Sequence, residues 1–328
     1  MKILVAGGAG YIGSVLAPLL HEHGCQVDVI DLMWFGNHLP RGISATKRDL
    51  FSLDATDLAG YDQVIFLAGL SNDPMAEYDP VMNFVQNGAL PPYLAFCAQK
   101  AGVKRFIYAS SCSIYGYTEN RLYDEDAPVF CSYPYGISKT VGERGVLQQE
   151  QEGFSTIALR QGTVNGHSPR MRFDLIVNTM FKSAMTDGRI VVNNPAIWRP
   201  IIDVRDTAKA FVCAVRAEPE LSGVYNIAYD NFTVGQVAEE VKKAVEKHTG
   251  KAIDIETRNT PDFRNYKVDC AKANTQLHFR PDCAIADIVD SLFAHYADYG
   301  DLTKEDYYNI EVFKKIKKQQ TENALGAH

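Results

Sequence analysis

The chain of 328 residues lacks any apolar run of membrane-spanning length, any close pair of cysteines and any excess of basic charge. The first absence argues against a membrane-spanning helix. Its seven cysteines (Cys25, Cys97, Cys112, Cys131, Cys213, Cys270 and Cys283) form no C-x-x-C pair, which speaks against a zinc knuckle or a disulfide framework and for a reducing compartment. No metal site is expected. The 33 Lys and Arg against 40 Asp and Glu leave a net charge of −7, the wrong sign for a protein that holds nucleic acid by neutralising phosphates. No internal repeat or low-complexity segment is present. Met1 to Ala6 runs straight into a glycine loop with no stretch resembling a signal peptide, so a cytoplasmic protein is expected. A 46% hydrophobic and 22% charged composition is that of an ordinary globular chain, and the length suits two lobes.

What the sequence does contain is an alternation of short apolar runs with helical stretches. Ile3 to Ala6, Gln26 to Ile30, Gln63 to Ala68 and Arg105 to Ser110 read as strands, and Ser14 to Glu22 and Pro91 to Ala101 as helices. This order predicts an α/β chain, a doubly wound parallel (Rossmann) sheet with a smaller α/β substrate-binding lobe. The first lobe is expected over residues 1–163 with a return near 200–228, where Ile201 to Val204 and a helix after Asp206 rejoin it. The second is expected over 164–199 and 229–312, with Val234, Val237, Val241 and Val245 at helical spacing as core. Residues 313–328, with Lys314, Lys315, Lys317 and Lys318, read as a polar tail: a solvated helix and a frayed end.

Gly7, Gly10 and Gly13 lie in the string GGAGYIG between the first strand and the first helix. Glycines there let the backbone approach a pyrophosphate at a helix N-terminus, and Gly13 lets helix and strand pack closely. Asp31 ends the second strand about 20 residues on, placed to accept from adenosine ribose hydroxyls. A carboxylate at that position repels a 2′-phosphate, so the expected cofactor is NAD rather than NADP. Asp49 is suited to the adenine amino group, although a solvated loop aspartate is nearly as good a reading. Tyr135 and Lys139 stand four apart on a helix that begins near Pro134, so the ammonium can lie beside the phenol and favour its ionised form. Ser110 to Gly116 closes the fourth strand, at the sheet edge where ligands bind in such folds.

With these motifs in this order, the sequence resembles the extended short-chain dehydrogenase/reductases, the NAD-dependent epimerase/dehydratase family that modifies nucleotide sugars. The resemblance implies Tyr135 as base, Ser111 as the serine that hydrogen-bonds the substrate hydroxyl, and Lys139 at the nicotinamide ribose. It implies a cofactor site of Gly7, Gly10, Tyr11, Ile12, Gly13, Asp31, Asp49, Leu50, Leu67, Ala68, Gly69 and Asn87, together with Tyr135 and Lys139. It implies substrate contacts from Ser71, Asn72, Ser111, Cys112, Ser113, Thr163, Arg170, Arg172 and Asp174, with Arg199 and Arg264 (in Pro261-Asp262-Phe263-Arg264) gripping a diphosphate. The sequence departs from the family at Phe66, where a histidine is usual, at Thr163 and Asp174, where asparagine is common, and at Cys112-Ser113. Family dehydratases carry an acidic pair at the last position and decarboxylases a glutamate, so neither reaction is expected. The expected activity is NAD-dependent epimerisation of a nucleotide-diphosphate sugar, at its 4-position, through a transient keto-sugar. Release of that keto-sugar, which would make a hexose or heptose 4-dehydrogenase, stays open, as does a non-catalytic NAD-binding sensor or scaffold. A homodimer through the helices of residues 87–101 and 135–149 is implied as well.

Overall fold

Ile3 and Val5 pack on one face of a sheet while Leu4 and Ala6 pack on the other, the two-residue period of a strand buried on both sides. The computed structural model describes residues 1–258 and 264–326 of the chain. Its main sheet has seven strands, all parallel, in the order Gly223–Ile227, Ser155–Gln161, Arg105–Ser111, Gln63–Phe66, Lys2–Ala6, Gln26–Asp31, Ser44–Lys47. Chain order reverses between Lys2–Ala6 and Gln63–Phe66, and a doubly wound sheet opens its ligand crevice at the carboxyl ends flanking such a switch. Leu16 and Leu20 of helix Gly13–Glu22 and Phe211 of helix Val204–Arg216 cover one face. Leu94 of helix Leu90–Lys100 and Val146 of helix Pro134–Leu147 cover the other. Phe66, at the usual histidine position, is core and lies against Phe106 and Tyr108.

A second core gathers Val237, Val241 and Val245 of helix Val234–Thr249 with Val177, Phe181, Ile288 and Leu292. That helix is delimited by sequence: Thr233 and Gln236 cap each other's backbone at its start, and Gly250 takes a left-handed φ of +67° at its end. One detail departs from expectation. Ile202 packs into the core of the main sheet, but strand Trp198–Asp203 itself lies in a three-stranded sheet between Asp230–Thr233 and Thr163–Asn165. Asp203 then caps the following helix, its Oδ1 accepting from the Arg205 amide at 2.6 Å, so the helix starts at Val204 rather than after Asp206.

The end of the chain needs a larger correction. Helix Asn309–Gly326 begins before residue 313, and its first turns are anchored: Phe313 is fully buried with Leu70 and Met75, and against Trp34. Lys317 pairs with Asp79 at 2.8 Å. A lysine-rich stretch begins on an apolar anchor, which composition alone does not reveal. Among the described residues no helix is long and apolar enough to cross a membrane.

Near the junction of the lobes His167 stacks on His295 with ring centroids 3.6 Å apart, and its Nδ1 meets Tyr299 Oη at 2.8 Å. Burial, reinforced by His295, pushes the His167 pKa down to about 4. In the unfolded chain an imidazole takes its proton near ~6.5, so between those pH values the unfolded state holds more protons. Stability is therefore complete above the higher value and is lost as pH falls toward the lower. The melting temperature is expected to drop between pH 6.5 and 4.5 in wild type and to drop less in His167→Gln; parallel profiles would remove His167 as the cause.

Candidate active site

Gly7 sits at φ +81°, and a Cβ there would lie 2.4 Å from the Ala68 amide nitrogen. At Gly13 a Cβ would fall 2.3 Å from the Gly8 carbonyl oxygen, so glycine is what lets the first helix close on the loop. At Gly10 a Cβ would meet only the Gly7 oxygen, at 3.5 Å, so this stretch of backbone is open. Asp31 accepts from the Ala9 amide at 3.1 Å and the Met33 amide at 2.6 Å, and burial raises its pKa. Each oxygen retains a lone pair for a ribose hydroxyl. Backbone that a ligand can approach, a helix N-terminus and a terminal carboxylate together fit a dinucleotide.

These groups open into one cavity of about 700 Å³. Its wall contains Gly7, Gly10, Tyr11, Ile12, Asp31, Asp49, Leu50, Leu67, Ala68 and Gly69 at the end expected for the cofactor. Ser71, Asn72, Ser111, Ser113, Tyr135, Thr163, Arg172, Asp174, Arg199 and Arg264 complete it. Pro261, Asp262 and Phe263 lie outside the described residues. Asp49 Oδ1 also accepts from the Phe51 amide at 2.9 Å, capping a short 3₁₀ turn.

Five residues expected here stand behind the wall instead. Gly13 packs against Gly8, as described. Cys112 is buried, its thiol directed at the Arg160 carbonyl oxygen at 3.1 Å, because the strand-end turn sends Ser111 and Ser113 one way and Cys112 the other. Asn87 donates to the Leu70 carbonyl at 2.8 Å and to Asn83 Oδ1 at 2.8 Å. Its own Oδ1 has no hydrogen-bond partner among the described residues and would lie 2.0 Å from a Cβ at Gly69. Asn87 thus braces the loop that lines the cavity. Arg170 lies over the Phe35 ring at 3.9 Å and donates to Asn309 Oδ1 at 2.5 Å; its charge acts on Asp31 and also on Arg172 and Asp174.

Lys139 is the fifth. Its ammonium donates to the Ala109 carbonyl at 2.9 Å and stands 5.9 Å from the centre of the Tyr135 ring. Burial, partly offset by Glu143, lowers its pKa to about 7. The expected acidic phenol is corrected accordingly: burial first, then the Asp73 charge, raise Tyr135 above its ordinary value, while a hydrogen bond to Ser111 and the charge of Arg172 pull it partly back. Ser111 Oγ lies 2.9 Å from Ser113 Oγ, so two hydroxyls face the phenol's end of the cavity together.

Several wall residues escape sequence reasoning. Asp73 opens helix Asp73–Tyr78, capped by Asn72, and pairs with Arg264 at 2.5 Å. Its only local signal is the Asn72-Asp73-Pro74 helix start. Trp34, Phe35, Asn309 and Ile310 carry no such signal and arrive through tertiary packing. Behind the site Glu143 bridges Ser110 Oγ at 2.6 Å and the Arg160 guanidinium at 2.6 and 3.0 Å, all buried.

Comparison with known proteins gives a consistent picture. The family model described as the NAD dependent epimerase/dehydratase family matches residues 3–228. A dTDP-glucose 4,6-dehydratase of Streptomyces niveus is 26% identical over 322 residues, covering 91% of this chain and 93% of its own. A UDP-glucose 4-epimerase of Corynebacterium glutamicum is 25% identical over 327 residues, covering 92% and 97%. The fold is shared with the UDP-glucuronic acid 4-epimerase of Bacillus cereus, solved with UDP-glucuronic acid and NAD, at a TM-score of 0.79 and 22% identity over 91% of this chain and 99% of that one.

Proposed function

Because the chain belongs to the NAD dependent epimerase/dehydratase family, we propose that it is a nucleotide-sugar epimerase acting at the 4-position of the sugar. Its relatives at nearly equal identity are a dehydratase and an epimerase, so overall likeness does not choose between them. One observation carries the choice. At the strand end where dehydration needs an acidic pair, Cys112 is turned into the core and Ser113 is hydrogen-bonded to Ser111. Two of the cavity's carboxylates are committed to guanidinium groups, Asp73 to Arg264 and Asp174 to Arg172.

In this reading residues 1–163, with 200–228, hold NAD, and 164–199 with 229–312 hold the substrate. NAD, when bound, supplies the hydride acceptor and donor. Tyr135 takes the proton of the sugar hydroxyl and later returns one, Ser111 and Ser113 hold that oxygen, and Lys139 fixes the local electrostatics from behind the strand. Arg199 and Arg264 suit the diphosphate, since a guanidinium fork matches phosphate oxygens. Glu143 and Asn87 keep the serine strand and the cavity loop in place. A homodimer is supported by the exposed Phe84, Val85, Phe96 and Val141 on adjoining helices of the main lobe; a contiguous apolar face of this kind marks an interaction surface.

Purified protein incubated with NAD and a panel of nucleotide sugars tests the activity. An isomeric sugar without net absorbance at the NADH band is expected. Accumulation of NADH with a keto-sugar would replace epimerase by dehydrogenase, and a 4-keto-6-deoxy product would restore dehydration.

A further inference from the structure

The loops that leave the two strands beside Lys2–Ala6 are joined to each other by a segment from the far end of the chain. Lys2–Ala6 lies between Gln26–Asp31 and Gln63–Phe66, all three parallel. The glycine loop therefore leaves the sheet between the loop carrying Trp34 and the loop carrying Leu70. Phe313 touches both: it is fully buried, its ring centroid is 5.6 Å from that of Trp34, and it packs with Leu70 and Met75. Asn309, one turn earlier, is held on three sides. Its Nδ2 donates to Ser71 Oγ at 2.7 Å, its Oδ1 accepts from Arg170 at 2.5 Å, and its backbone amide donates to Asp174 Oδ2 at 3.3 Å. One turn beyond Phe313, Lys317 pairs with Asp79 at 2.8 Å. The inner side of this span belongs to the cavity, since Trp34, Phe35, Leu70, Ser71, Asn309 and Ile310 all line it, as does Asp31, three positions before Trp34.

We propose that Asn309 and Phe313 are positioning residues that retain the cofactor: with Trp34 and Leu70 they clasp the crevice over NAD, which leaves only when the start of the terminal helix unseats. The proposal rests on the NAD-dependent reading above. A dinucleotide held by the glycine loop and Asp31 lies between the two loops that the clasp joins, and a ligand enclosed in this way departs at the rate of local opening. Opening exposes the Phe313 ring to water and breaks the Asn309 contacts together, which keeps the open state rare. Such retention suits chemistry in which the hydride returns to the sugar. A dehydrogenase that releases its keto-sugar must exchange NADH for NAD in every cycle and cannot turn over faster than the clasp opens; an epimerase has no such requirement.

The test follows labelled NAD on the full-length protein, loaded with radiolabelled NAD, freed of excess by gel filtration and chased with unlabelled NAD. Phe313→Ala is expected to speed loss of label on the order of 100-fold. Phe313→Leu refills most of the seat and should stay within about 5-fold of wild type. Val245→Ala, a truncation in the core of the second lobe, controls for general loss of stability and should leave the rate unchanged. A folded Phe313→Ala protein that exchanges label at the wild-type rate overturns the proposal, as does equal acceleration in Val245→Ala. Hydrogen exchange of wild type gives a second readout that needs no variant: amides of residues 309–317 should gain protection when NAD binds, and equal protection with and without NAD overturns the clasp. Either failure leaves the epimerase reading standing, whereas absence of any NAD binding in equilibrium dialysis removes both.

Discussion

Replacing Tyr135 by phenylalanine is expected to lower epimerase turnover by about 10³-fold, within the range typical of losing a general acid–base, while NAD affinity stays within a few-fold. The ring remains to fill its place, and only the oxygen that exchanges protons with the sugar is lost. Stopped turnover assays and NAD titration on the same preparation separate the two effects; a variant keeping more than a tenth of wild-type turnover would remove Tyr135 from its role. The pH profile adds a second check. Burial and then Asp73 raise the phenol, with Ser111 and Arg172 offsetting only in part. A base whose pKa lies above its ordinary value works better as pH rises, so kcat/KM should climb through the neutral range. Asp73→Asn removes one raising influence and should move that climb to lower pH.

Glu143→Ala is expected to cost about 3–5 kcal/mol of stability, because it strands the buried Arg160 guanidinium without its carboxylate. Arg160 and Glu143 side chains are 6% and 3% exposed, and Ser110 would lose its acceptor as well. Denaturant unfolding of Glu143→Ala and of the double variant Arg160→Met with Glu143→Leu measures this. The double variant should recover most of the loss, since well-packed apolar side chains replace such a pair at little net cost. A loss under about 1 kcal/mol in Glu143→Ala would show that water reaches Arg160.

Much of the cavity end expected to hold the cofactor is legible in the sequence. Gly7, Gly13 and Asp31 declare themselves because their roles are local: a turn, a close helix approach and a strand end follow from a few neighbouring residues. Tyr135 and Ser111 were legible for the same reason, since helix start and strand terminus are read from short patterns. The four-residue spacing does put Tyr135 and Lys139 on one helical face, yet the ammonium takes the Ala109 carbonyl, because a buried amine takes the nearest acceptor its stem can reach. Arg170 and Cys112 stand behind the cavity wall, since turns and irregular segments have no period to tell inward from outward. Asn309 and Phe313 were missed because their partners, Ser71, Asp174, Leu70 and Met75, lie more than 130 positions away.

The cavity wall contains Ile310 and Asn309, whereas the last strand of the main sheet is complete at Ile227. During synthesis the nucleotide fold can therefore assemble some eighty residues before its crevice has a finished rim. A nascent chain halted inside that interval would carry the glycine loop and Tyr135 but an unclosed wall, with the Leu70 and Met75 seat still waiting for Phe313. Completion of the cavity is thus a late event, set by residues that emerge well after the sheet that carries it.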